Sequence, residues 1–428
     1  MTQQSSTTQV SEVVVVGGGL AGAKTVETLR KEGYDGSIVL LTAEDEIPYD
    51  RPPLSKEYLQ GKKGEDDIRV LSPDWYAEHA VDLRLATTAS ALDLDAHRVA
   101  LSSGEQLPFD RLLLATGSEP RHLPLPGADL EGVLTLRTRA DSDHLREALQ
   151  PGRHYVVIGG GWIGLETAAA GRLAGADVTV LEREDLPLLA VLGPELARVF
   201  ADLHREQGVD LRTTVGVSEI VADGSGTRVA GVRLSDGTVV PADTVVVGVG
   251  AAPRVDLARD AGLDVDNGVL VDAQLRTSHP DVFAAGDIAN AEHPMLGHRV
   301  RVEHWANALN QPTVAAATML GRDERYDRLP YFYTDQYDLG MEYTGFVTPG
   351  GYDRVVVRGD AASREFIAFW MSGDAVLAGM NVNVWDVVDD IKALVQHSFS
   401  GGRVDPERLA DPDIPLPDLI PSPDSLSS

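Results

Sequence analysis

The chain predicts an α/β fold with two parallel-sheet units and a following α+β domain, and three observations carry that prediction. The first is a glycine fingerprint that occurs twice, as Gly17-Gly18-Gly19-Leu20-Ala21-Gly22 and Gly159-Gly160-Gly161-Trp162-Ile163-Gly164. The second is its setting. Each copy ends an apolar run, Val13 to Val16 and Tyr155 to Ile158, and opens an alanine-rich stretch of helical character. The third is a change of pattern near Pro330, where strand-like segments replace the strand, turn and helix alternation. A single G-x-G-x-x-G is weak, since glycine occurs in any turn; a strand before it and a helix after it make it a Rossmann-type dinucleotide-binding element.

In each fingerprint the first glycine (Gly17, Gly159) permits the tight turn and the second (Gly19, Gly161) lets backbone approach a pyrophosphate. The third (Gly22, Gly164) lets helix pack on strand. Leu20-Ala21 and Trp162-Ile163 then open helices whose free N–H groups and positive dipole end favour phosphate. Each copy has an acidic residue where a ribose-hydroxyl acceptor belongs, Glu44 for the first and Glu182 for the second.

Residues 13 to 41 read as strand, glycine turn, helix and strand, ending in Ile38 to Leu41. In the loop from Ile47 to Lys56, Pro52 and Pro53 fix an extended segment ahead of a short helix starting near Ser55. A rigid loop carrying Arg51 and Lys56 suits an anionic ligand. Residues 81 to 117 alternate apolar and polar, turn at Ser102-Ser103-Gly104 and end in Leu112 to Leu114 and Ala115-Thr116-Gly117, which predicts a small antiparallel excursion returning to the main sheet. The second unit follows Pro120 to Pro126 and a helix near Arg139 to Leu149. It repeats strand, turn, helix and strand over 155 to 182, then predicts a helix around Pro194 to Glu206 and a strand Thr244 to Val249 before Gly250. The segment from Thr277 to Asp287 reads as a buried strand with an aspartate at its carboxyl end, where open parallel sheets bind ligands. Asp287 is either a cap for a following helix or an acceptor for a ribityl hydroxyl, and one residue can do both. Beyond Pro330 the strand-like segments are Tyr331 to Tyr333, Val355 to Val357, Phe366 to Met371 and Ala375 to Val384, followed by a helix near Val387 to Gln396. Residues 401 to 428, rich in proline and aspartate, read as a tail that is at least partly disordered.

Composition narrows the function classes. The 428 residues allow two to four domains of ~100 to 200 residues, and a hydrophobic fraction of 43% supplies their cores. No apolar run approaches the ~20 residues that span a bilayer, and Met1 to Val10 is polar rather than a signal sequence, so a soluble, cytoplasmic protein is expected. A net charge of -29 argues against nucleic acid and anionic membrane as partners. With no cysteine, the chain has no disulfide, no thiolate metal site and no redox-active cysteine pair. His293, His298 and His304 fall close together, but their spacings match no single helical face, so no metal site is expected.

Taken in order, these motifs resemble the FAD- and NAD-linked ferredoxin reductases of oxygenase systems, the family of putidaredoxin reductase, rhodocoxin reductase and the reductase component of biphenyl dioxygenase. The likeness covers about residues 12 to 400. It rests on the first fingerprint, Pro48 to Lys56, Ala115-Thr116-Gly117, the second fingerprint with Glu166, Gly248 to Pro253, Phe283 to Asp287, and Arg301-Val302-Glu303-His304-Trp305-Ala306-Asn307. The resemblance implies a glutathione-reductase-like, three-domain flavoprotein. Its FAD domain is discontinuous (1–117 and 250–328), its NAD domain is inserted (118–249), and a C-terminal domain (329–400) helps to cover the flavin ahead of the 401–428 tail. It places FAD along Gly17 to Gly22 and Ala115 to Gly117, with Glu44 near its ribose, Arg51, Lys56 and Arg137 near the flavin and phosphates, and Asp287 on the ribityl chain. Gly250, Glu303 and Trp305 belong to the same family positions, Trp305 beside the isoalloxazine. NADH would lie on Gly159 to Gly164 with Glu182 at its adenosine ribose. Lys56 and Glu166 match positions that pair beside the flavin ring, although Glu166 has a structural alternative as a first-turn carboxylate favoured by the helix dipole by ~0.3 to 1 kcal/mol. The chain departs from the family at Tyr333 and Thr334, where tryptophan and serine are frequent, and at His304, where serine is common.

The implied activity is hydride transfer from NADH to FAD, then single electrons to a [2Fe-2S] ferredoxin serving a haem-thiolate monooxygenase or a ring-hydroxylating dioxygenase. An iron–sulfur acceptor takes one electron at a time and NADH gives two together, so a flavin must store the second. Hydride transfer needs the two rings in contact rather than a general acid or base, and no triad or carboxylate pair stands out. A carboxylate at Glu182 repels a 2'-phosphate, which predicts a preference for NADH over NADPH. Arg299, Arg301, Arg322 and Arg325 flank the Trp305 segment and form either a ferredoxin-docking patch or scattered solvated charges. Alternatives on the same scaffold are a rubredoxin reductase, an NADH oxidase, or an NADH-responsive flavoprotein like apoptosis-inducing factor.

Overall fold

In the computed structural model, residues 10–421 are described; the expectations for the first nine residues and for 422–428 lie outside them. The chain divides into two compact units. Among the described residues, one comprises those up to Asp50 with Asp66–Glu119 and Ala252–Arg328, and the other Arg51–Glu65, Pro120–Ala251 and those from Leu329 onward.

The first unit is built on a five-stranded parallel sheet. Its central strand Glu12–Val16 pairs with Ser37–Leu41 on one side and Arg111–Leu114 on the other, and Val81–Arg84 and Val282–Ala284 form the edges. Burial on both faces explains why Val13–Val16 and Leu112–Leu114 read as continuous apolar runs. Helix Leu20–Lys31 packs along helix Trp305–Met319. The excursion predicted over 81–117 is an antiparallel meander of Ala89–Asp93, Arg98–Leu101 and Gln106–Pro108, while Val81–Arg84 belongs to the parallel sheet.

The second unit repeats the plan. Strand His154–Ile158 lies between Asp177–Leu181 and Thr244–Val247, with Asp210–Arg212 and Val133–Leu134 completing five parallel strands. The helix expected around Pro194 begins earlier, at Leu189, and runs to Glu206 with a break at Gly193, whose φ of 77° suits glycine. From residue 331 a five-stranded antiparallel sheet follows, in the order Tyr331–Gln336, Leu339–Gly345, Ala375–Val382, Glu365–Ser372 and Arg354–Asp360. Helix Val388–Phe399 packs on it, so this part is α+β. Its residues Met341, Phe366 and Trp370 share one core with Val157, Leu165 and Phe200 of the parallel-sheet part.

Residues 51–65 group with the second unit, because hydrogen bonds tie them there: Arg51 donates to the Arg137 carbonyl, Ser142 Oγ to the Leu54 carbonyl at 2.7 Å and Tyr58 Oη to Asp143 at 3.0 Å. Residues 401–421, read from composition as partly disordered, carry helix Pro406–Ala410 and a 3-10 turn Leu416–Leu419, with Val404, Leu409, Leu416 and Leu419 buried. Four apolar anchors spaced along a polar segment are enough to dock it.

Candidate functional site

Both fingerprints fold into the same cradle. Gly17 has φ 124°, and a Cβ there would lie 2.1 Å from the Ala115 carbonyl oxygen; Gly159 has φ 104°, and a Cβ would lie 2.5 Å from that of Gly248. A Cβ on Gly22 or Gly164 would meet the carbonyl oxygen of Gly17 or Gly159 at 2.0 and 2.1 Å, which is the close approach of helix to strand that the third glycine permits. Gly19 and Gly161 behave differently. They are the N-caps of helices Leu20–Lys31 and Trp162–Leu173, neither helix has a side-chain cap or a first-turn acid, and a Cβ at either position faces nearly open space. Helix N-termini bared in this way fit a pyrophosphate.

Around the first cradle, Ala115 N–H donates to the Val16 carbonyl (2.8 Å), Thr116 Oγ1 to the Arg254 carbonyl (2.9 Å), and Arg254 N–H to the Gly117 carbonyl (2.9 Å). Glu44 accepts from the Tyr49 hydroxyl. Trp305 opens its helix and donates from Nε1 to Asp50 Oδ1 at 3.2 Å. Glu303 accepts from Arg301 at 2.8 Å, and the same guanidinium donates to the Asp287 carbonyl at 3.1 Å. No helix follows Asp287: a turn leads into strand Ala289–His293, so the capping role expected of it falls away. Gln311, unremarked in the sequence, accepts the Gly286 N–H at 2.7 Å from a buried position.

Around the second cradle, Glu182 uses both carboxylate oxygens on backbone. Oε2 accepts Gly160 N–H at 2.6 Å and Oε1 accepts Glu184 N–H at 2.8 Å. Trp162 packs against Phe200 and Phe332, with ring centroids 5.4 and 4.8 Å apart, while Ile163 is exposed. Gly250, at φ 98°, accepts from Arg121 N–H at 2.9 Å, and Arg137 N–H donates to Asp141 at 2.9 Å.

The second unit also contains a buried ion pair. Pro52–Ser55 forms a 3-10 turn rather than an α-helix, and it delivers Ser55 and Lys56 to Glu166. Lys56 Nζ lies 3.1 Å from Glu166 Oε2, with side chains 7% and 4% exposed. Ser55 Oγ donates to the same oxygen, and Thr334 Oγ1 donates to Oε1 at 2.6 Å. The Lys56 ammonium also lies 5.5 Å from the centroid of the Tyr333 ring, within cation–π range. Glu166 is the fifth residue of its helix and three side chains hold it, so the first-turn dipole reading does not apply. The sequence singled out Lys56 and Glu166. It missed Ser55 and the role of Thr334, which no local spacing signals.

The arginines named as a docking patch are not equivalent. Arg301 is 9% exposed and bonded internally; Arg299 donates to the Val271 and Asn290 carbonyls and to Glu292, and Arg322 pairs with Glu32. Arg325 is exposed. His293 Nε2 meets the Arg328 carbonyl at 3.0 Å and His298 Nδ1 the Arg299 carbonyl at 2.9 Å. Burial pushes the His304 imidazole down to about 4. Among the described residues no helix is long and apolar enough to cross a membrane.

Two glycine cradles at the carboxyl edges of two parallel sheets define an α/β oxidoreductase of the class that works with a flavin and a pyridine nucleotide. The chain belongs to the pyridine nucleotide-disulphide oxidoreductase family, whose model matches residues 11–311, and a reductase C-terminal domain matches residues 331–420. It is 40% identical to the 5,5'-dehydrodivanillate O-demethylase ferredoxin reductase subunit of Sphingobium sp., covering 95% of this chain and 98% of that one. To putidaredoxin reductase of Pseudomonas putida it is 38% identical, covering 95% and 96%. The covalent putidaredoxin reductase–putidaredoxin complex superposes with a TM-score of 0.91 at 37% identity, over 96% of this chain and 98% of that one. The glutathione-reductase-like fold expected from the resemblance is thus the observed one.

Proposed function

We propose that this protein is an FAD-dependent NADH:ferredoxin reductase whose acceptor is a [2Fe-2S] ferredoxin of an oxygenase system. The observation that carries the reading is a pair of glycine cradles in a chain with no cysteine at all. A family member without thiols cannot pass electrons through a disulphide, so they must leave the flavin directly for an external carrier. Relatives named as a ferredoxin reductase subunit and a ferredoxin–NAD(+) reductase component support the choice of carrier.

FAD held here would supply the exchange between the paired electrons of a nicotinamide and the single electrons of an iron–sulfur carrier. The protein's own residues have narrower tasks. Gly17 to Gly22 with Ala115 to Gly117 would hold the FAD pyrophosphate, with Glu44 toward its ribose, and Asp287, Trp305 and Arg137 are assigned to the same cofactor. Gly159 to Gly164 and Glu182 would hold NADH. Lys56, 3.1 Å from Glu166 and buried with it, supplies a positive charge suited to the negative charge of reduced flavin. Glu166 positions that ammonium. The domain limits 1–117 with 250–328, 118–249 and 329–400 remain part of the proposal as the FAD, NAD and C-terminal domains.

The test is anaerobic stopped-flow mixing of the purified yellow protein with NADH, followed by a panel of [2Fe-2S] ferredoxins. Rapid bleaching of the flavin band and ferredoxin-dependent recovery are expected. Colourless protein that stays inert to NADH after reconstitution with FAD would refute the reading.

A further inference from the structure

Behind the Lys56–Glu166 pair runs a chain of side chains that ends on His204, a residue fully buried in helix Leu189–Glu206. Thr334 and Gln336 sit two apart on strand Tyr331–Gln336 and so share its buried face, 0% and 1% exposed. Gln336 Nε2 is 3.2 Å from Thr334 Oγ1, and Gln336 Oε1 is 2.8 Å from His204 Nε2. The Tyr337 hydroxyl is 3.4 Å from His204 Nδ1.

The donors and acceptors in this chain admit one arrangement. A carboxylate only accepts, so the single proton of Thr334 points at Glu166 Oε1. The Thr334 oxygen must then accept from Gln336, which turns the amide NH2 toward Thr334 and its Oε1 toward His204. Because an amide oxygen cannot donate, His204 carries its proton on Nε2. Nδ1 is left as an acceptor, and the Tyr337 hydroxyl lies on that side. Burial drives the imidazole down to about 4, with the Gln336 bond opposing, so the ring is neutral at pH 7.

We propose that His204 is a positioning residue: through Gln336 it holds the Thr334 hydroxyl as a donor to Glu166, and so fixes the carboxylate that keeps the Lys56 ammonium in place. An apolar side chain at 204 would leave Gln336 Oε1 without its donor. The amide could then flip, Thr334 would lose the partner that orients its proton, and Glu166 would be held by Ser55 and Lys56 alone. That the flavin feels this chain rests on the Lys56–Glu166 reading above; the hydrogen-bond assignment does not.

The experiment uses the holoenzyme and two readouts. With 15N-labelled histidine, and His204→Phe to assign the signal, the His204 ring should be neutral at pH 7 with its proton on Nε2. A proton on Nδ1, or an imidazolium, overturns the proposal. The second readout is the flavin midpoint potential. Gln336→Glu removes the donor to Thr334 and adds an acceptor, and it should shift the reduction equilibrium about tenfold toward oxidised flavin, ~30 mV for a two-electron couple. Thr334→Val should shift it in the same direction, while Thr334→Ser, which keeps the hydroxyl, should restore the wild-type potential. If Lys56→Met moves the potential but Gln336→Glu and Thr334→Val do not, His204 has no positioning role. If Lys56→Met leaves the potential unmoved, the flavin reading of the pair fails instead, and the ring-nitrogen spectrum alone decides the hydrogen-bond assignment.

Discussion

Replacing Glu182 by glutamine should largely remove discrimination between NADH and NADPH. The carboxylate cannot swing aside, because Oε2 is held by Gly160 N–H at 2.6 Å and Oε1 by Glu184 N–H at 2.8 Å. Its remaining lone pairs can accept ribose hydroxyls. A 2'-phosphate at ~4 Å would instead meet a fixed negative charge, worth ~4 kcal/mol per charge pair at an effective dielectric of ~20. Arg183 is adjacent, but its side chain is 85% exposed and its guanidinium lies 3.0 Å from Glu184, so it offsets only part of the repulsion. Halving the figure for solvent and salt screening leaves ~2 kcal/mol, a preference of about 30-fold for NADH. The assay is anaerobic flavin reduction by each donor, which isolates the nicotinamide step from ferredoxin. Glu182→Gln should bring the ratio of kcat/KM values to within a few-fold of unity, chiefly by improving NADPH. A wild-type preference for NADPH, or a ratio unmoved by the substitution, would refute the argument.

The other structural claims make separate predictions. Glu166→Leu strands a buried ammonium and removes the acceptor of Ser55 and Thr334, so it should destabilise the protein by ~3 to 5 kcal/mol; chemical denaturation of the variant at wild-type stability would contradict that. Because burial lowers the His204 imidazole from 6.5 to about 4, the unfolded chain takes up this proton first. Its contribution to stability is complete above pH ~6.5 and is lost as pH falls toward 4, by about 3 kcal/mol in total. Denaturation curves between pH 4 and 7 should show this slope in the wild type and a shallower one in His204→Phe. Gly22→Ala and Gly164→Ala each drive a methyl group into a carbonyl oxygen, so the first should purify without flavin and the second should retain flavin but lose reduction by NADH. Arg322→Glu with Arg325→Glu should slow ferredoxin-dependent cytochrome c reduction while ferricyanide reduction survives, and equal loss of both activities would rule out docking there.

The parts of this protein that were legible in the sequence are those in which local chemistry repeats. Gly17 and Gly159 need left-handed backbone, Gly22 and Gly164 need a missing Cβ, and each requirement falls at fixed spacing after a buried strand. Two parallel sheets of matching order follow from that pattern. Legibility fails where contacts join distant stretches. The docking of residues 401–421 depends on four isolated apolar side chains in a segment whose average composition is polar. Arg301 looks like a surface charge beside Arg299, yet it is folded inward onto the Asp287 carbonyl. The strand read over Thr277 to Asp287 is confined to Val282–Ala284, and a turn rather than a helix follows Asp287.

The site shows the same division at the level of single hydrogen bonds. Lys56 and Glu166 were recognisable as a pair, but the side chains that complete their hydrogen bonding in the interior come from three other places in the chain: Ser55 on a proline-fixed turn, Thr334 on an antiparallel strand and, through Gln336, His204 near the end of a helix. A buried ion pair is costly unless further donors complete it. Here three of the four side chains around that carboxylate chain have only one proton to give in the required direction, so the polarity of the whole network follows from the charge on Glu166. Threonine at 334, where serine is common in the family, preserves that donor and adds a methyl group to the packing. It is therefore a departure in sequence that conserves the electrostatics, and the residue type at 334 matters less to the pair than whether it carries a hydroxyl.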